Sequence, residues 1–152
     1  MDNIFLDAKL HAINIINYLK ENIQKFKDYY NDSAFAKKMN SIARLAGVKM
    51  AYMALTIFYA MKSKDVPIKD KVIMAAALGY FIAPFDLIPD IFGVLGIVDD
   101  GIILKWAYDN IRSYITPEIE VKVNEQLKKW FPESEISDLE SDLPTKLSKD
   151  VK

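Results

Sequence analysis

Four carboxylates, Asp86, Asp90, Asp99 and Asp100, stand in the stretch 83–100 among the most apolar residues of the chain, together with Pro84, Pro89, Gly93 and Gly96. Burying a carboxylate is costly, so a sequence that places four of them there concentrates structure or chemistry at that point. Asp86 and Asp90 share a face if their segment is helical, and Asp99 and Asp100 return after two glycines. An oxygen-only set of this kind suits Mg²⁺ or Ca²⁺ rather than zinc. The spacing fits no EF-hand loop, however, and helix capping is the stronger reading. Proline and glycine create helix ends, helix ends leave N–H groups without partners, and aspartate satisfies them while matching the positive end of the helix dipole. Asp86 or Asp90 then caps a short helix entering Ile91 and Phe92, Asp99 or Asp100 caps the next, and one aspartate can serve each purpose.

Hydrolysis by paired carboxylates is weaker still, because no obvious nucleophile, pocket or cationic stabiliser accompanies them. Arg44 and Arg112 are the only arginines and read as surface or ion-pair residues. His11, the one histidine, lies among Leu10, Ala12 and Ile13 in a helical pattern and reads as a helix-surface or partly packed side chain. The absence of cysteine excludes disulfides, thiolate zinc sites and cysteine nucleophiles. No residue is assigned a catalytic role, no cofactor beyond Mg²⁺ or Ca²⁺ is implied, and the balance points away from an enzyme.

The run Pro84-Phe85-Asp86-Leu87-Ile88-Pro89-Asp90, followed by Val94-Leu95-Gly96 and Asp99-Asp100, resembles the signature of the YkvA-like family. That family is a bacterial domain of unknown function whose motif also occurs beside the membrane segments of some larger eukaryotic proteins. The resemblance covers residues 69–104 and implies a small helical domain often associated with membranes, with no established reaction. The chain departs from the pattern at Gly93, where a proline is common, and at Gly101, where an aliphatic residue is usual; both add backbone freedom.

A chain of 152 residues suits one domain with a sizeable core. The opening Met1-Asp2-Asn3 is acidic, and Asp7 and Lys9 interrupt any apolar signal region, so export by a signal peptide is not expected. Uncharged runs of 12, 14 and 8 residues, at 50–61, 72–85 and 91–98, each fall short of the roughly twenty apolar residues that a transmembrane helix needs. Buried core helices are preferred to membrane embedding, and the expected location is cytoplasmic or at the cytoplasmic membrane, peripheral or integral. Residues 1–71 carry 12 basic and 7 acidic side chains, whereas residues 72–152 carry 8 and 14. The two halves are expected to complement each other in one fold, while the basic half can also lean on anionic lipid. Dispersed basic residues, a pI of 5.8 and no recognisable binding motif argue against a nucleic-acid partner.

Around the aspartates the periodicity predicts an all-α bundle of about five helices in a single domain over residues 1–132. Phe5, Ala8, Ala12, Ile16, Leu19, Ile23, Phe26 and Tyr30 recur at steps of three and four and predict one long amphipathic helix. Asn31-Asp32-Ser33 supplies a break and an N-cap for a second helix over residues 34–62, with Gly47 a weak point or close-packing spot. That helix is apolar on every side around 50–61, which places it centrally in a bundle or against lipid. Pro67 can take the first position of a third helix reaching Ile82, where Ala75, Ala76, Ala77 and Gly79 form a small-residue face that admits another backbone. A fourth helix carries Ile103, Ala107, Ile111 and Tyr114 as far as Ile115. Thr116, Pro117 and Glu118 supply the cap, first position and dipole-matching acid of a fifth, bearing Ile119, Val123, Leu127 and Trp130. Residues 133–152, acidic and then lysine-bearing, read as a flexible or loosely docked tail.

Three functions fit these features. The first is a non-enzymatic module that meets a membrane surface or a protein partner through the apolar stretch 50–98. The second is a Mg²⁺- or Ca²⁺-dependent enzyme or sensor built on Asp86, Asp90, Asp99 and Asp100. The third is a homo-oligomerisation domain using the Ala75, Ala76 and Gly79 face. The first is preferred.

Overall fold

The computed structural model describes residues 2–83 and 97–142, with side chains over 9–83 and 101–139. Among the described residues there is no strand and there are eight α-helices: α1 (Asp2–Glu21), α2 (Ile23–Lys27), α3 (Asp32–Ala46), α4 (Val48–Lys62), α5 (Ile68–Ile82), α6 (Ile97–Ile111), α7 (Pro117–Leu127) and α8 (Glu133–Asp142). The all-α bundle expected from the periodicity is present, with eight helices in place of about five. Two predicted helices are each divided in two, and a further helix forms beyond Pro132.

The first division falls at Asn22. Its amide Nδ2 donates to the Tyr18 carbonyl at 2.8 Å, and its backbone leaves the helical region at φ −130° and ψ 32°. Asparagine competes with the helix for backbone partners in this way, so the stripe bends although its apolar spacing continues. The bend swings Phe26 into the core, where it is buried with Ile15 and Leu19 of α1. The second division is at Gly47, whose φ of +99° lies in the region that a side chain strains against. Asn31 is the N-cap of α3, its side chain accepting from the Ala34 N–H at 2.8 Å.

Helix α4 occupies the centre. Every residue of 50–57 is buried, and α3, α5, α6, α7 and α8 all pack around it. Its uniform apolarity is thus used inside the protein. Thr56, the buried polar side chain within it, donates to the Tyr52 carbonyl at 2.7 Å and leaves no hydroxyl unmet. Helix α5 starts after Pro67, which stands just ahead of the first turn in extended backbone rather than inside it. Ala76, Ala77 and Gly79 of α5 are buried, and Ala75 is half-buried. A Cβ added at Gly79 would lie 1.7 Å from the Phe26 carbonyl oxygen, so α2 rests backbone to backbone on this face. The small-residue surface expected to join a second copy is therefore filled by the chain's own α2.

Helix α6 buries Ile103, Ala107 and Ile111, as its spacing predicts, and gives way to a 3-10 turn at Arg112–Tyr114 before Ile115. It begins at Ile97, so Asp99 and Asp100 fall in its first turn rather than ahead of it. Helix α7 keeps its predicted start: the Thr116 hydroxyl accepts from the Ile119 N–H at 3.2 Å, with Pro117 in the first turn. For the flexible or loosely docked tail expected from residue 133, the structure shows a helix over the first ten residues. Those form α8, which docks on α4 with Ile136 and Leu139 buried.

A tyrosine pair sits where α4, α6 and α7 meet. The Tyr52 hydroxyl donates to Glu120 Oε1 at 3.1 Å, and the Tyr52 and Tyr108 rings meet edge to face with centroids 5.8 Å apart. Burial raises the Tyr52 phenol far above its ordinary value, reinforced by the Glu120 carboxylate, and burial likewise raises Tyr108. A raised folded-state value means that the unfolded chain releases the proton first. This contribution to stability is complete below about pH 10, where unfolded tyrosine titrates, and is lost as pH rises beyond it.

Two measurements follow. In urea denaturation, Gly79→Ala should cost about 3 kcal/mol or more, because backbone rather than a movable side chain blocks the new methyl. Gly101→Ala, whose Cβ would meet nothing within 4 Å on a helix, should stabilise by about 0.5–1 kcal/mol. In thermal denaturation against pH, Tm should fall above about pH 10, and Tyr52→Phe should lower neutral-pH stability by about 1 kcal/mol while making that fall shallower.

Candidate functional site

The sequence-derived candidates divide into two sets. Asp86, Asp90, Pro84, Pro89, Gly93 and Gly96 lie outside the described residues, as do the side chains of Asp99 and Asp100. Ala75, Ala76 and Gly79 belong to the core seam described above. Among the described residues no group of three or more His, Asp or Glu side chains is placed to hold a metal ion, and no helix is long and apolar enough to cross a membrane. His11 is partly buried on α1, and Arg44 Nη1 donates to the Trp130 carbonyl at 3.3 Å, tying α3 to the turn after α7.

The described part of the family-like region is a helical pair. Helices α5 and α6 pack against each other, and near their far ends the Tyr114 hydroxyl donates to Asp70 Oδ2 at 2.7 Å. Near the end of α5 two lysines stand over aromatic rings, and the backbone of a third passes beside it. Lys38 Nζ stands 5.6 Å from the centre of the Phe81 ring, and Lys25 Nζ stands 5.3 Å from that of Phe26, which itself lies 5.0 Å from the Tyr80 ring. The Lys27 amide follows Phe26 against Gly79. Lys25 and Lys38 thus stand over the aromatic rings at this end, and Lys25 Nζ also donates to the Tyr18 hydroxyl at 3.0 Å. The acid on α2's end, Asp28, accepts from Gln24 Nε2 at 2.8 Å.

A second feature lies between α3, α4 and the end of α7. A groove of about 430 Å³ is floored by Phe35, Met39, Leu55 and Phe58 and edged by Asp32, Asn40, Tyr59, Gln126, Lys129 and Trp130. Phe35 and Phe58 stack nearly parallel, 4.7 Å between centroids, because Phe35 opens the buried stripe of α3 against the last turns of α4. At one end Asp32 is paired with Lys62 at 2.6 Å and accepts from the Tyr30 hydroxyl. Lys62 and then Tyr30 hold the Asp32 carboxyl below the usual carboxylate range, while burial and this carboxylate raise Tyr30. At the other end Trp130 Nε1 donates to Asn40 Oδ1 at 3.2 Å. An apolar floor with a few polar groups at its edge can bind, but it offers no nucleophile beside a base.

Sequence reasoning missed this groove because its walls lie up to 98 residues apart along the chain, from Asp32 to Trp130. The aromatic doublet Phe58-Tyr59 and the polar Asn40 and Gln126 flanking buried positions were the available signals.

No curated protein and no solved structure matches the chain. The matched family segment runs from the first turn of α5 to the middle of α6, about a quarter of the chain: residues 70–106 match the model of the family described as Protein of unknown function (DUF1232).

Proposed function

We propose that this small helical protein is a non-enzymatic module that docks on an anionic membrane surface, cytoplasmic in face, through the end of the bundle where α5 finishes. The observation that carries the reading is the placement of Lys25 and Lys38 over the rings of Phe26 and Phe81, with the Lys27 backbone beside Gly79, near the point where the chain enters residues 84–96. That stretch holds Phe85, Leu87, Ile88, Ile91, Phe92, Val94 and Leu95. The apolar runs of α4 and of α5 up to Ala83 are largely consumed by the core, so of the stretch 50–98 the part up to Ala83 offers little apolar surface to a bilayer. Apolar residues ringed by lysines are the arrangement by which proteins lie on a membrane rather than cross it, with burial and electrostatic attraction adding. The likeness of the same stretch to the YkvA-like family, with its membrane association, supports the reading. A metal-dependent role for Asp86, Asp90, Asp99 and Asp100 is the second reading, favoured only by their residue type.

The test is co-sedimentation of the detergent-free protein with neutral and anionic vesicles at several salt concentrations. Binding should require anionic lipid and weaken as salt rises. Reversing Lys25, Lys27 and Lys38 to Glu should remove at least about 3 kcal/mol, more than a hundredfold in affinity, at about 1 kcal/mol per lysine. Protein that stays in the supernatant with anionic vesicles at low salt overturns the proposal.

A further inference from the structure

We infer that the groove between α3, α4 and α7 is a docking site for an acidic amphipathic helix of a protein partner. Its shape sets the length of the occupant. The α3 wall runs from Asp32 to Asn40, about 12 Å or two helical turns, and the groove is partly open to solvent. A partner helix fits by laying apolar side chains spaced i, i+3 or i+4, and i+7 onto Phe35, Met39, Leu55 and Phe58. Met39, unbranched and polarisable, adapts to the side chain it meets.

Charge selects the sign of the partner. Three lysines border the groove: Lys62 Nζ stands 5.3 Å from the centre of the Phe58 ring, Lys122 Nζ 5.9 Å from that of Tyr59, and Lys129 is part of the lining. Asp32 is the acid of the lining, and Lys62 and Tyr30 already neutralise it. Lys122 of α7 and Lys129 in the turn that follows it are exposed, seven residues apart, and form no ion pair with another described residue. A helix with glutamate or aspartate flanking its apolar stripe places those carboxylates opposite them. The chain's own acidic helix, α8, is not that occupant, since its Ile136 and Leu139 are buried where it docks and none of its residues lines the groove.

The reading is independent of the membrane proposal, and one experiment separates them. The chain has two tryptophans, Trp106 and Trp130, so Trp106→Phe leaves the groove-edge Trp130 as the sole reporter. This full-length variant is titrated with a synthetic helix carrying leucine at i, i+4 and i+7 and glutamate elsewhere, and with its twin in which lysine replaces glutamate. The acidic peptide should shift Trp130 emission and bind at least about tenfold more tightly than the basic twin. Lys122→Glu with Lys129→Glu, both exposed and compatible with an unchanged circular dichroism spectrum, should reverse that preference. The Lys25, Lys27 and Lys38 reversal should leave peptide binding intact while removing vesicle binding. Equal affinity for the two peptides, no response of Trp130, or loss of peptide binding only in the Lys25, Lys27 and Lys38 variant overturns the inference.

Discussion

One contact underlies the rest of the bundle: the carbonyl of Phe26 lying directly on the α-carbon of Gly79. Two helices approach this closely only where one of them has no side chain. With α2 seated there, the Phe26 ring reaches Tyr80 on one side and Tyr18 on the other, and α1 is drawn over α5 and α6. The apolar surface of α5 would otherwise face solvent or another molecule. That one missing Cβ lets α2 cover this face of α5.

The bend at Asn22 makes the contact reachable. A straight helix through Tyr30 would carry Phe26 along the axis of α1, whereas the capture of the Tyr18 carbonyl by the Asn22 amide releases the next turn to rotate. A polar side chain on the surface and a glycine in the core thus cooperate across 57 residues of sequence. Stability and shape are shared between a local hydrogen bond and a distant steric allowance.

Much of this organisation was legible before any coordinates. The cap at Thr116, a cap within Asn31-Asp32-Ser33, the placement of Pro117, the weak point at Gly47 and the end of α5 at Ile82 rest on interactions within a few residues, which a sequence displays directly. Three things were not legible, for physical reasons. The break at Asn22 keeps the apolar spacing intact, so periodicity is blind to it. Among its described side chains α8 exposes acidic residues and buries Ile136 and Leu139, too few to distinguish a docked helix from a solvated tail. The surroundings of α4 depend on helices far along the chain, so its uniform apolarity was ambiguous until α3, α5, α6, α7 and α8 were seen around it. The groove is the same problem in its strongest form, a concavity that no single segment owns.

The charge asymmetry takes on a structural meaning as well. The two halves were expected to complement each other in one fold, and among the described residues the ion pairs Lys62–Asp32, Lys105–Asp109, Lys128–Glu125 and Lys128–Glu133 each join residues of the same half. The lysines Lys20, Lys25, Lys38 and Lys62 of the first half also stand over the rings of Trp106, Tyr18, Phe26, Phe81 and Phe58. Their methylene stems shield aromatic edges where helices meet, and their ammonium groups face out. Packing therefore sets where the positive charge is displayed, because each lysine is held at a seam between helices. An aromatic seam sealed in this way presents apolar surface bordered by positive charge, which is the combination that both an anionic bilayer and an acidic helix recognise.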